Sequence, residues 1–117
     1  MKYHGSCHCG QIKFEIEAEA EVKEAVACNC SMCQRKGSLL WFIPRHQLNL
    51  LTPPENMRSY TFNKHVIQHY FCPNCGIHPF GEGTGPDGQL SAAVNIRCLD
   101  EIDLDAVKVH HFNGRDY

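Results

Sequence analysis

Hydrophobic and polar residues alternate over several short segments of this chain, which is the pattern of half-buried β-strands. In QIKFEIEAEA (11–20), Ile12, Phe14 and Ile16 would share one face, and charged side chains would lie on the other. Seven further segments carry strand signals: EAVACNC (24–30), SLLWFIP (38–44), LNLL (48–51), RSYTFN (58–63), HVIQHYFC (65–72), LSAAVNI (90–96) and VKVHHFNG (107–114).

Helical signals are few and short. SMCQRKG (31–37) predicts one helical turn after Cys30, with Ser31 as its N-cap, and DLDAV (103–107) predicts another short turn. The sequence therefore predicts a mainly β fold with small antiparallel sheets and at most short helical turns.

Two connections between the predicted strands carry turn signals. The segments 58–63 and 65–72 are expected to form a hairpin around Asn63 and Lys64. GEGTGPDGQ (81–89) is expected to be a glycine-rich loop. We expect two or three antiparallel sheets that meet where the cysteines cluster.

The composition is that of a small globular protein. Its 117 residues fit one domain spanning 1–117, with 43% hydrophobic and 21% charged residues. The formal net charge of −2 argues against a nucleic-acid-binding protein, which normally carries a basic excess. The chain has neither a signal-peptide pattern nor an apolar run long enough to span a membrane, so we expect a cytoplasmic protein with reduced thiols.

Seven of the eight cysteines fall into three tight clusters, CHC (7–9), CNCSMC (28–33) and CPNC (72–75). Metal ligands converge on one point in this way. Four disulfides are the alternative, which a reducing cytoplasm disfavours. The spacing therefore predicts metal binding, and the odd number of clustered cysteines predicts two unequal sites.

CPNC is half of a structural zinc site, and CHC is the best candidate for the other half. If CHC lies on a strand, Cys7 and Cys9 point to the same face. Together with Cys72 and Cys75 they would form a closed site of four thiolates. The alternatives are that these cysteines are small buried hydrophobic residues, or that CPNC is a redox motif.

CNCSMC leaves three ligands, Cys28, Cys30 and Cys33, for a second zinc ion. Three protein ligands leave one coordination position for a substrate thiol or water, which is typical of catalytic zinc. Cys98 or a histidine could instead complete this site, or the site could bind zinc only weakly. His69 is a further candidate for the wall of the same pocket.

The cysteine motifs lie in a wider pattern that resembles the GFA family, which is named for a glutathione-dependent formaldehyde-activating enzyme. The matching segments are GSCHCG, CNCSMCQRKG, FCPNCGIHPF, AAVNIRCLD and HFNGRDY. The stretch YTFNKHVIQHYFCPNCGIHPF is similar to the branch that includes centromere protein V. The chain departs from the common family pattern at two places. From the second cysteine of the CPNC motif many members read C-G-T, where this chain continues with Gly76-Ile77-His78, and tryptophan is common where this chain has Tyr117.

The resemblance implies a β-tent fold with two zinc ions per chain. It assigns Cys7, Cys9, Cys72 and Cys75 to a structural ion, and Cys28, Cys30 and Cys33 to a catalytic ion. The implied activity is the condensation of glutathione with formaldehyde to S-(hydroxymethyl)glutathione, a carbon–sulfur lyase reaction. The implied partners are a small thiol and an aldehyde. The acidic net charge predicts no nucleic-acid partner, and the short apolar runs predict no membrane partner.

Several polar residues near the clusters are candidates to bind glutathione. Arg97 and Asn95 could hold one of its carboxylates, and Lys36 and Arg35 lie beside the second cluster. Each of these side chains could equally be an ordinary solvated surface group. Two other functions remain open, a non-catalytic zinc-stabilised binding module and a thiol or metal sensor.

Overall fold

The computed structural model describes residues 1–61, 67–85 and 87–114. Its helical elements are α1 (Ser31–Lys36) and four short 3₁₀ turns at Arg45–Gln47, Pro54–Asn56, Ile96–Cys98 and Leu104–Ala106. The strands of the described residues are β1 (Lys2–Ser6), β2 (Lys13–Glu17), β3 (Glu24–Cys28), β4 (Leu40–Pro44), β5 (Leu48–Leu50), β6 (Arg58–Tyr60), β7 (Gln68–Phe71), β8 (Phe80–Thr84), β9 (Leu90–Asn95) and β10 (Lys108–Phe112).

The strands form two sheets that share a hydrophobic core. The smaller sheet has the order β1-β2-β5, and the larger has the order β10-β3-β4-β9-β8-β7-β6. Phe14 of β2 and Phe80 of β8 are almost completely buried, and their ring centroids lie 5.6 Å apart. The alternation seen in residues 11–20 is confirmed, because Ile12, Phe14 and Ile16 are all buried.

The predicted mainly β fold is confirmed, but the larger sheet is mixed rather than antiparallel. β10 pairs with β3 in parallel, with His110 opposite Val26. A parallel pair requires a long crossover, and the residues between β3 and β10 are numerous enough to return the chain to the starting end of β3. Within the described part of the chain, no helix is long and apolar enough to cross a membrane.

The expectation of a loop over 81–89 is wrong for its first half. β8 extends to Thr84 and pairs with both β7 and β9. A Cβ at Gly81 would lie 2.8 Å from the backbone oxygen of Gln68, so glycine lets β8 lie close against β7. The glycines that suggested a loop are here positions of close strand packing.

The predicted turn after Cys30 is confirmed as α1, but Ser31 is not its N-cap. The sulfur of Cys30 accepts the cap hydrogen bond from the backbone N–H of Cys33, at 3.3 Å. Helix α1 ends at Gly37, whose φ of +69° is a left-handed conformation that favours glycine. The predicted turn at 103–107 is confirmed as a 3₁₀ turn.

The predicted hairpin is confirmed only as far as its strands are described. β6 and β7 pair antiparallel, with Ser59 opposite Tyr70. Its turn at Asn63 and Lys64 lies outside the described residues. The Cys7–Cys9 segment was expected on a strand, but it forms a bend that follows the end of β1.

Candidate metal centres and the adjoining cavity

Four cysteine sulfurs converge where β1 ends and where β7 ends. The Sγ atoms of Cys7, Cys9, Cys72 and Cys75 all lie within 4.8 Å of one another. Cys9 Sγ lies 3.7 Å from Cys7 Sγ and 3.6 Å from Cys72 Sγ. For a tetrahedral zinc ion with Zn–S bonds of about 2.3 Å, neighbouring sulfurs lie about 3.8 Å apart. The donor set therefore fits a zinc ion in both chemistry and size.

Backbone hydrogen bonds hold this first cluster in shape. The N–H of Ile12 donates to Cys7 Sγ at 3.3 Å, and the N–H of Cys75 donates to Cys72 Sγ at 3.4 Å. Gly76, with φ +82°, turns the chain so that its N–H donates to the oxygen of Cys72 at 2.8 Å. These donors stabilise thiolates, which are the form that binds metals.

The electrostatics of the first cluster agree with thiolate binding at Cys75. Burial raises the pKa of Cys75, but N–H groups of Ile77 and Cys9 donate to its sulfur, and the net result is a pKa of about 6. Burial raises the pKa of Cys72 to about 11. Closely spaced thiols cannot all ionise unaided, because like charges repel, so a cation would stabilise the fully ionised set.

A second group of three sulfurs forms where β3 meets α1. Cys28, Cys30 and Cys33 have Sγ atoms within 4.8 Å of one another, and all three residues are half-buried. The N–H of Cys30 donates to Cys28 Sγ at 3.4 Å. Burial and the two neighbouring cysteines raise the pKa of Cys33 to about 12. As in the first cluster, the thiols cannot all ionise unless a cation offsets the repulsion between their charges. Among the described residues, this group contains three metal-binding side chains.

The segment after β10 packs directly against this second cluster. The N–H of Asn29 donates to the oxygen of Phe112 at 3.1 Å, and Asn29 Nδ2 donates to Asn113 Oδ1 at 2.9 Å. A Cβ at Gly114 would lie 2.4 Å from Cys28 Sγ, which is too close for any side chain. Glycine at 114 therefore permits the chain to close over the cluster.

A cavity of about 190 Å³ lies against the second cluster. Its apolar wall is formed by residues of five strands and by the residue just before β7, namely Val26, Leu40, Phe42, Ile67, Gly81, Ala93 and Phe112. Besides the three cysteines, its polar residues are Lys36, Ser38, His69 and His78. The prediction that His69 lines this pocket is confirmed.

The two histidines of the cavity are buried and close together. Their side chains are 9% and 8% exposed for His69 and His78, and the ring centroids lie 5.9 Å apart. Nδ1 of His78 lies 2.6 Å from the backbone oxygen of Tyr70. Burial lowers the pKa of His78 to about 4, and the Lys36 ammonium acts in the same direction. Burial likewise lowers the pKa of His69.

A second, larger groove of about 530 Å³ adjoins the cavity. It is lined by Ser31, Met32, Arg35, Lys36, Tyr60, Phe71 and Gly76. Lys36 lines both spaces, so its side chain lies between the groove and the cavity. Burial lowers the pKa of Lys36, while Cys33 acts in the opposite direction.

The structure separates the other predicted binding residues from this cavity. Asn95 is buried, and its Nδ2 donates to the oxygen of His78 at 3.1 Å, while its Oδ1 accepts from the N–H of Arg97 at 3.3 Å. Lys36 lines the cavity, whereas Asn95 and Arg97 are not among its lining residues. Their contact with a substrate stays a prediction.

Cys98 lies beside the first cluster. Its Sγ donates to the oxygen of His78 at 3.8 Å, and burial together with the charges of Cys7 and Cys75 raises its pKa to about 11. Sequence reasoning assigned no role to His78, because the neighbours that define its surroundings lie elsewhere in the chain.

The fold is mainly β and brings seven cysteines into a group of four and a group of three, each of which could hold a metal ion. A family model described as "Glutathione-dependent formaldehyde-activating enzyme" matches residues 2–115. The chain belongs to this family, as the cysteine motifs predicted.

Similar proteins carry the same description. Over 79 residues, 64% of this chain, it is 30% identical to a Penicillium rubens protein and 33% identical to an Emericella nidulans protein. Both are named "Putative glutathione-dependent formaldehyde-activating enzyme". The matched region spans only 41% and 40% of these two relatives.

A solved structure has a similar fold. The crystal structure of a Rhodobacter sphaeroides protein superposes with a TM-score of 0.77 at 28% sequence identity. The match covers 94% of this chain and 100% of that one.

Because the chain packs tightly against the second cluster at Gly114, the structure predicts the effect of Gly114→Ala. The new methyl group would collide with Cys28 Sγ, so we expect a folded protein that loses one bound zinc ion. Elemental analysis of the purified variant measures this. Gly83→Ala is the matched control, because its Cβ would contact the Ile67 side chain at 3.3 Å and would not contact a cysteine. Its zinc content should therefore match that of the wild type. Unchanged zinc content in Gly114→Ala would contradict the prediction.

The two clusters should also differ in their effect on stability. Cys72 is completely buried and links segments of both sheets, so Cys72→Ser should leave the chain unfolded. Structural zinc contributes about 10–16 kcal/mol of apparent binding free energy in small metal-dependent folds. Cys28→Ser should remain folded with one zinc ion fewer. Circular dichroism and elemental analysis measure both variants, and equal unfolding of the two would refute this division.

Proposed function

We propose that this protein condenses glutathione with formaldehyde, or a related thiol with a small aldehyde, to give an S-(hydroxymethyl) thiol adduct. This is a reaction of the carbon–sulfur lyase type. The observation that carries the proposal is the cavity beside Cys28, Cys30 and Cys33, because a thiol that enters it meets three further sulfurs arranged for a metal. Membership of the family supports the same chemistry.

Two zinc ions per chain are part of this proposal. Cys7, Cys9, Cys72 and Cys75 would hold a structural ion, and the remaining three clustered cysteines would hold a second. Three protein ligands leave one position of a tetrahedral ion, and the adjoining cavity gives a substrate thiol access to it. A bound zinc ion favours the thiolate form of a coordinated thiol.

The sizes of the two spaces suggest how glutathione would lie. The cavity is smaller than the roughly 300 Å³ at which pockets for drug-sized ligands begin, whereas the groove exceeds that size. The body of the tripeptide would occupy the groove, and its thiol would extend past Lys36 into the cavity. Arg35 and Lys36 would attract its carboxylates.

Residues 1–117 would form one zinc-binding domain that acts in the cytoplasm, where glutathione is kept reduced. The small-molecule thiol and aldehyde would be its partners, and the net charge of −2 argues against a nucleic-acid partner.

The proposal is tested by exchange NMR on glutathione and formaldehyde at equilibrium. Because the adduct also forms without a protein, the measured quantity is the exchange rate above that of buffer. Zinc-loaded wild type should accelerate exchange, Cys28→Ser should return it to the buffer rate, and Cys98→Ser should retain it. A zinc-loaded wild type that gives the buffer rate would overturn the proposed activity and favour a zinc-stabilised binding module.

Lys36→Gln tests the placement of glutathione. A hydrogen bond to a charged group contributes about 1.5–3 kcal/mol, so we expect KM for glutathione to rise about tenfold or more. KM for 2-mercaptoethanol, which lacks carboxylates, should change much less. Lys108→Gln is the matched control on exposed β10, and both thiols should be unaffected by it. An equal rise for both thiols in Lys36→Gln would exclude carboxylate binding.

A further inference from the structure

The proposed condensation requires a proton to move. A sulfur–carbon bond forms, the S–H bond breaks, and the carbonyl π bond is replaced by an O–H bond. The thiol proton therefore has to reach the carbonyl oxygen, and no oxidant, reductant or further reactant is needed. A side chain that accepts this proton and returns it within the cavity would serve both half-steps. This inference rests on the proposed function.

His78 has its proton position fixed by its neighbours. A backbone oxygen only accepts hydrogen bonds, so Nδ1 of His78, 2.6 Å from the oxygen of Tyr70, must carry a hydrogen. In a neutral imidazole the other nitrogen, Nε2, is then an acceptor. Burial and the Lys36 charge, which lower the pKa of this ring, keep it neutral.

The free nitrogen of His78 opens into the cavity. Among the described residues, no completely buried side-chain nitrogen or oxygen lacks a hydrogen-bond partner. The hydrogen bond of the His78 ring is made by Nδ1, so Nε2 must reach accessible space. His78 lines the cavity beside the second cluster, and we infer that Nε2 reaches this space.

The backbone of His78 is anchored as well as its ring. Its oxygen accepts from Asn95 Nδ2 at 3.1 Å and from Cys98 Sγ at 3.8 Å. The following residue, Pro79, is completely buried. Because the residue is held both at Nδ1 and at its backbone oxygen, Nε2 keeps one position, which favours proton transfer.

His78 is distinct from the metal ligands. The sulfurs of Cys28, Cys30 and Cys33 form a group within 4.8 Å, and no His78 nitrogen belongs to it. We propose that His78 is the proton-transfer residue of this site: Nε2 takes the thiol proton and returns it to the carbonyl oxygen as the sulfur–carbon bond forms.

The variant His78→Asn separates this role from a structural one. The asparagine Nδ2 can still donate to the oxygen of Tyr70, but the Nε2 acceptor is lost. General acid–base catalysis contributes typically about 100-fold or more, so kcat should fall by at least about 100-fold. KM for glutathione should change less than about twofold by the same reasoning, and two zinc ions should remain.

His111→Asn is the matched control, because it makes the same chemical change at an exposed position of β10. A long-range ¹H–¹⁵N spectrum of the zinc-loaded wild type gives a second, independent measurement. It should show the His78 tautomer with hydrogen on Nδ1 and no metal on Nε2. If His78→Asn fails to fold, this spectrum tests the proposed state of His78 in the wild type.

The outcomes separate this inference from the proposed function. An inactive zinc-loaded wild type overturns the function and the His78 role with it. An active wild type with an equally active His78→Asn overturns the role alone. Loss of one zinc ion from His78→Asn, or a zinc-bound Nε2 in the spectrum, overturns the role in favour of metal binding.

Discussion

The convergence of Cys7 and Cys9 with Cys72 and Cys75 is the constraint on which the rest of the structure depends. It joins the end of β1 in the smaller sheet to the end of β7 in the larger sheet, and Cys9 and Cys72 are 63 positions apart in the sequence. The CPNC turn, which supplies Cys72 and Cys75, is followed closely in the sequence by His78. The geometry of the first cluster therefore sets where the buried histidine meets the cavity of the second.

The two clusters occupy different surroundings, which agrees with the different roles proposed for them. In the first, Cys72 is completely buried and four sulfurs face one another. In the second, three half-buried sulfurs border an apolar cavity that also contains Lys36 and two buried histidines. Low polarity strengthens each electrostatic interaction inside such a cavity. The second site thus combines metal-type sulfurs, a cation and a fixed neutral base.

The sequence predicted the parts of this arrangement that depend on local spacing. Alternation located most strands, and the cysteine motifs gave both the family and the two groups of sulfurs that the structure brings together. The sequence could not predict the features that depend on contacts between residues far apart in the chain. The parallel pairing of β10 follows from a long crossover, and the tightness at Gly114 follows from Cys28, far away in the chain. His78 is recognisable only when Tyr70, Asn95 and the cavity are seen around it.

Lys36 lies where the groove meets the cavity, and its charge lowers the basicity of both nearby imidazoles. An anionic group seated against that ammonium would cancel part of its field, since opposite charges a few ångströms apart offset one another. His78 and His69 would then become better proton acceptors. Binding of an anion in the groove would in this way raise the basicity of the two imidazoles that line the neighbouring cavity.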